Sequence, residues 1–91
     1  MSEQIRDDAA ARRFELEVDG LVVFADYRRE DGVLVIRYVE APPALRGTGA
    51  SGRLMRGVMD RARQEGLRVV PLCGYAASWI HGHKEYADML G

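Results

Sequence analysis

Between Val33 and Leu72 the hydrophobic period changes twice, and this change limits the possible folds more than any other feature of the chain. Val33 to Glu40 is rich in β-branched residues and reads as a strand. From Ala50 to about Gln64 the period becomes helical. Ala50, Leu54, Met55, Val58, Met59 and Ala62 share one face, and Arg53, Arg56, Asp60, Arg63 and Gln64 share the other. Gly57 falls on the apolar side and predicts a close approach of this helix to the sheet, and Gly66 is a helix stop. Leu67 to Leu72, centred on Val69-Val70, reads as a strand again. A strand, a helix and a strand in succession imply a right-handed crossover and a parallel pair.

The N-terminal half has a different pattern. Phe14, Leu16 and Val18 alternate with Glu15 and Glu17, the period of a half-buried strand. Asp19-Gly20 is a hairpin-turn dipeptide, Leu21 to Tyr27 is a second strand, and Glu30-Asp31-Gly32 turns the chain into Val33. These three strands form an antiparallel meander. Residues 1–12 read as a flexible lead-in and residues 13–91 as one domain. Ala76, Trp79, Ile80, His83, Ala87 and Leu90 recur at helical spacing to the C-terminus. The expected fold is therefore α+β: a three-stranded antiparallel meander, a fourth strand parallel to the third through a crossover helix, and a C-terminal helix.

A chain of 91 residues holds one core, so any active site is shallow or shared with a partner. No apolar run approaches the ~18 residues of a membrane span. The polar, charged stretch Met1 to Arg13 does not read as a signal peptide. The single cysteine, Cys73, excludes an internal disulfide and points to a reducing, cytoplasmic setting. Residues 1–45 carry six Arg and ten Asp/Glu, net −4; residues 46–91 carry seven Lys/Arg and four Asp/Glu, net +3. A basic second half suits an anionic ligand such as a nucleotide phosphate, although a solvated helix face accounts for the same asymmetry. No nucleic-acid-binding motif is present.

Gly47-Thr48-Gly49-Ala50-Ser51-Gly52 lies between the third strand and the first helix and spells G-x-G-x-x-G. Such a loop presents backbone N–H groups and the positive end of a helix dipole to phosphate. A dinucleotide site would require an acidic residue about 20 residues on, at the end of the next strand. Val70-Pro71-Leu72-Cys73 offers none, and no Gly-Lys-Ser/Thr follows for a nucleoside-triphosphate loop. A second reading is the pyrophosphate loop of acetyl-CoA enzymes, R/Q-x-x-G-x-G/A. Arg46-Gly47-Thr48-Gly49-Ala50-Ser51 meets it at the first and fourth positions and departs at the sixth, where Ser51 stands. In a third reading the glycines only shape the loop and start the helix. The loop taken alone leaves the second and third readings standing.

Its surroundings add a resemblance. Glu40-Ala41-Pro42-Pro43-Ala44-Leu45-Arg46-Gly47-Thr48-Gly49-Ala50 and Val69-Val70-Pro71-Leu72-Cys73-Gly74-Tyr75 resemble the short, stand-alone YjdJ-type branch of the GNAT acyltransferase superfamily. His83-Lys84-Glu85-Tyr86 is similar to that branch's His-Pro-Glu-Tyr. The resemblance runs from about Phe14 to Leu90. Lys84 replaces the usual proline, so the C-terminal helix is expected to run through. Tyr38 stands where many relatives carry histidine, which removes that base. The resemblance implies acetyl-CoA as acyl donor, its pyrophosphate held on the backbone of Arg46, Gly47, Thr48, Gly49, Ala50 and Ser51. It also implies transfer of acetyl to an amine, with no metal. A non-catalytic acyl-CoA-binding or protein-interaction module is the alternative.

The candidate chemistry is sparse. Cys73 ends the fourth strand just before a helix, close to where this architecture holds the thioester. A thiol there either accepts acetyl or protonates departing CoA, while a small buried hydrophobe is the plain alternative. Tyr75 is a candidate proton donor to the leaving thiolate, or a packing residue at a helix start. Glu40, beside the loop, is a candidate to deprotonate an amine, or a solvated strand end. His81 and His83 are two residues apart, a poor spacing for a shared metal on a helix. His83, Trp79 and Ile80 read as packing.

Overall fold

Two Asp-Gly pairs set the sheet. Asp19 and Gly20, and Asp31 and Gly32, all have positive φ, the geometry of tight turns whose twist matches that of the flanking strands. The computed structural model describes residues 5–91, and its first strand, β1, is Arg6–Asp8. The two turns join β2 (Arg13–Val18), β3 (Leu21–Glu30) and β4 (Val33–Glu40) into the expected antiparallel meander. A short 3-10 turn, Pro43–Leu45, leads to helix α1 (Ala50–Gln64). β5 (Arg68–Pro71) then lies parallel to β4, as the crossover requires.

The sheet order is β1-β2-β3-β4-β5, five strands where the sequence pattern predicts four. β1 falls inside the segment read as a flexible lead-in, of which residues 1–4 lie outside the described part. Arg6–Asp8 has no apolar alternation. It is held by backbone pairing to β2 and by charge: Arg6 and Arg13 both bond the Glu15 carboxylate.

Every predicted apolar position of α1 is buried, namely Ala50, Leu54, Met55, Val58, Met59 and Ala62. They meet Phe14, Leu16, Val23, Ala25, Leu34, Ile36 and Val69, which strand register puts on one face of the sheet. Each fully buried Leu, Met or Val contributes about 1.5–3 kcal/mol. Gly57 serves a different neighbour from the one expected. A Cβ there would collide with Ile5, so it admits the N-terminal segment rather than the sheet. The Arg61 guanidinium donates to the Ile5 carbonyl from the same helix. Gly66, at φ +71°, ends α1: the Leu67 N–H donates to Ala62 O and the Gly66 N–H to Arg63 O.

The C-terminal segment does not run through as one helix. α2 covers Gly74–His81, and Lys84–Met89 is 3-10. The Gly82 N–H is shared between Ser78 O and Trp79 O, and His83 N–H donates to Ile80 O, so the last turn tightens before the chain leaves helical geometry at His83. A proline at position 84 is not needed for the break. Trp79 stacks on His83 with centroids 3.7 Å apart, and Tyr86 donates to Asp60, tying the tail to α1. No helix among the described residues is long and apolar enough to cross a membrane.

Candidate functional site

The loop that follows β4 has the glycine geometry its sequence suggests at two of three positions. Gly47 (φ +78°) and Gly49 (φ +86°) are both left-handed, a conformation costly for residues with a Cβ. A Cβ on either would meet nothing within 4 Å, so the loop presents its backbone to open space. The third glycine differs. A Cβ on Gly52 would lie 3.3 Å from Trp79 Nε1 and 3.9 Å from the Tyr75 hydroxyl, so Gly52 lets α2 approach α1. The G-x-G-x-x-G pattern is thus two loop glycines plus one helix-contact glycine.

Thr48 braces the turn. Its hydroxyl bonds Leu45 O at 2.6 Å, and its oxygen accepts from the Ala50 N–H at 3.3 Å. The first intrahelical bond is Arg53 N–H to Gly49 O, which leaves the N–H groups of Ser51 and Gly52 at the helix start available to a ligand. Arg46 donates through Nε to Ala41 O, which orients its side chain beside the loop. The rest of the basic half is mostly committed elsewhere. Arg56 pairs with Glu85, Arg63 with Asp88, and Arg61 with the Ile5 carbonyl. Arg56 and Arg63 are thus neutralised within residues 46–91, and the net positive charge rests on other groups, Arg46 beside the loop among them.

β4 and β5 part company beside this loop. They pair from Val33↔Arg68 to Ile36↔Pro71, and the Leu72 N–H still reaches Ile36 O at 2.9 Å. Beyond that point β4 continues to Glu40 paired with β3 alone, leaving an open strand edge over Arg37–Glu40. A register shift falls at the same place. Tyr27 faces Ile36 and Asp26 faces Tyr38, so Arg37 is an extra residue, a β-bulge on β4. Simple alternation would put Tyr38 on the same side as Leu34 and Ile36. The bulge turns Val39 toward the helices, where it packs on the core, and Tyr38 and Glu40 toward the other face.

Cys73 and Tyr75 stand at the far side of that opening. Cys73 is half-buried, ends the extended run after β5 and immediately precedes α2, without using its thiol as a helix cap. Tyr75 is 43% exposed and lies close enough to the first turn of α1 for its hydroxyl to neighbour Gly52. Burial, followed by the electrostatic influence of Cys73, pushes the Tyr75 phenol up from its ordinary pKa, which favours the protonated hydroxyl. Glu40 is exposed and has no ion-pair partner among the described residues. His83 bonds the Trp79 carbonyl through Nδ1 and stacks on the Trp79 ring, the packing role expected of it. No group of three or more His, Cys, Asp or Glu side chains converges among the described residues.

Sequence reasoning missed the bulge and the added strand β1, whereas a splay between the central strands near Cys73 is what the family resemblance implies. A bulge leaves no sequence signal when its residues fit a strand, and Arg37-Tyr38 does.

A mixed sheet whose parallel strands separate beside a glycine-opened helix start defines an α+β domain of the N-acetyltransferase fold. The chain belongs to the GCN5-related N-acetyl-transferase family, whose model matches residues 13–89. A GCN5-like protein from Staphylococcus aureus, solved in solution by NMR, has the same fold. It superimposes with a TM-score of 0.75 at 20% identity, covering 99% of this chain and 89% of that one. No curated protein matches the sequence.

Proposed function

We propose that the chain transfers an acetyl group from acetyl-CoA to an amine. The observation carrying this reading is the coincidence of three features at one end of the sheet: the β4–β5 opening, the exposed backbone of Arg46 to Ser51, and the N-terminus of α1. Within the family we assign the chain to the YjdJ-type branch, on the segments 40–50, 69–75 and 83–86.

In this reading the N–H groups of the loop and first helical turn hold the pyrophosphate, aided by the helix dipole at about 0.3–1 kcal/mol and by Arg46. The open edge of β4 accepts the extended arm of the donor by backbone hydrogen bonding, which places the thioester beside Cys73 and Tyr75. An amine nitrogen adds to the thioester carbonyl, the carbon–sulfur bond breaks, and sulfur leaves as thiolate. Tyr75 O–H supplies the proton to that sulfur and regains one from water; the acylated nitrogen loses its surplus proton to water. Positioning of the two reactants supplies most of the rate gain. Cys73 is the catalytic candidate at the thioester: in a covalent route its sulfur takes the acetyl as CoA sulfur leaves with the thiol's proton, and the amine then adds to acetyl-Cys73, whose sulfur leaves and is reprotonated.

Intact mass spectrometry after brief exposure to acetyl-CoA tests Cys73, and thiol release with a panel of primary amines tests turnover. An acetyl adduct on Cys73 that an amine discharges supports the covalent route. Turnover retained in Cys73→Ala overturns it and leaves direct attack on the thioester. Binding of acetyl-CoA without thiol release for any amine would make the chain a binding module.

A further inference from the structure

Both helices pack on one face of the sheet, and no helix among the described residues covers the opposite face. Register puts Glu15, Val22, Phe24, Asp26, Val35, Tyr38 and Glu40 on that open face. The glycine loop belongs to the helix side, since it runs directly into α1. A donor seated there leaves the open face as the free approach to the β4–β5 gap, because Ala76, Ile80, Leu54 and Met55 fill the other. A cleft of about 300 Å³ lies on this face at the end of β4, lined by Val22, Phe24, Glu40, Ala41, Pro42, Pro43 and Arg46.

Its walls are apolar and aromatic. Tyr38, 42% exposed, meets Phe24 edge-on at 6.1 Å. Of the other carboxylates of this face, Glu15 is bound by Arg6 and Arg13, Glu30 by Arg28, and Asp26 lies 3.4 Å from Arg37, while Glu17 is exposed beside Val22 and does not line the cleft. Arg13 also lies over the Phe24 ring, 4.5 Å from its centroid, which shows that the aromatic surface of this face already holds a cation. Glu40 is the cleft's acid, and it has no ion-pair partner among the described residues. Arg46, the other charged group of the cleft, is committed to pyrophosphate in the reading above.

We propose that this cleft is the acceptor site and that it selects a primary ammonium on a short apolar or aromatic body. Glu40 holds the charge, Val22, Phe24, Pro42 and Pro43 take the apolar part, and Tyr38 borders the cleft through its edge-on contact with Phe24. The inference rests on the acetyltransferase reading and deepens it. The β4 bulge orients the site, because with Arg37 in regular alternation instead of bulged out both Tyr38 and Glu40 would point into the helix layer.

The test is a titration of the isotope-labelled protein, saturated with CoA, followed by NMR. Three probes differ only in head group: phenethylamine, 2-phenylethanol and 3-phenylpropionate. Phenethylamine is expected to shift the amides of Val22, Phe24, Tyr38, Glu40 and Ala41, with Glu40→Gln weakening it about tenfold and the alcohol and acid failing to compete. Glu40 is exposed, so the variant folds. Equal binding of the three probes, tighter binding of the carboxylate, or undiminished phenethylamine binding in Glu40→Gln overturns the proposal. CoA-induced melting shifts, measured in parallel on both proteins, separate the outcomes. A normal CoA shift with no amine response removes the acceptor site alone, and absence of the CoA shift removes the acetyltransferase reading on which it rests.

Discussion

Replacing Gly49 by alanine tests the loop with a built-in control. Gly49 has φ +86°, and Gly20, in the β2–β3 turn, has φ +78°. A Cβ on either meets nothing within 4 Å, so neither substitution creates a clash. What remains is conformational. An L-residue in the left-handed region costs about 1–2 kcal/mol, and stiffening the unfolded chain returns about 0.4–1 kcal/mol. Each variant should lose about 1 kcal/mol, a fall of roughly 4–8 °C in Tm for a domain of this size. Valine would add β-branching to the strain and confuse the result. Ligand response separates the two sites. Acetyl-CoA at a hundred times its Kd should raise stability by about 2.7 kcal/mol, roughly 10–20 °C, in the wild type and in Gly20→Ala. In Gly49→Ala the methyl group occupies the space where phosphate must approach backbone. A hundredfold loss of affinity would leave about 0.4 kcal/mol, roughly 2–3 °C. Thermal melts by circular dichroism, with and without acetyl-CoA, give all six values. Equal ligand shifts in the two alanine variants would refute the assignment of the loop to pyrophosphate.

Val58 is fully buried, so Val58→Asp strands a charge in the core and should remove about 4–5 kcal/mol of the roughly 5–15 kcal/mol such a domain holds; a far-UV melt resembling wild type would show the helix phase to be wrong. Arg56→Ala removes the bond to Glu85 and the contact with the Tyr86 hydroxyl, and should cost far less by the same melt. The bond from Arg6, with Arg13, holds the Glu15 carboxylate below its ordinary pKa, so the stability it contributes is present above pH ~4.3 and is lost as pH falls through the lower folded value. Urea melts should show Glu15→Gln less stable than wild type by on the order of 1 kcal/mol at pH 7, the two converging in acid; a gap unchanged below pH 3 would contradict this. Cys73 is half-buried at the strand opening, so iodoacetamide should label it in the folded protein and acetyl-CoA should slow the labelling; resistance until unfolding would mark it as core packing.

Residues close in sequence determined much of this protein. The Asp19-Gly20 and Asp31-Gly32 pairs specify their own turns, because the conformation they adopt is a local preference. The six apolar positions of α1 are all buried as their spacing requires, since helical period and burial are both set by side chains within a few residues. The crossover of β5 onto β4 followed from element order and chain handedness, and Gly47 and Gly49 announced an exposed backbone at the helix start. What stayed hidden depends on partners far along the chain. Ile5 fills the space over Gly57, and Arg6 finds Glu15, contacts between segments that carry no common pattern. Gly52 belongs to Trp79, 27 residues on, although its motif ascribes it to a ligand. Above all, the extra residue at Arg37 is invisible in a strand-like sequence, because a bulge exists only as a mismatch between two strands. That mismatch turns Tyr38 and Glu40 to the face opposite the helices, beside the point where β4 and β5 part, so the candidate site is made where pairing between two strands fails to match.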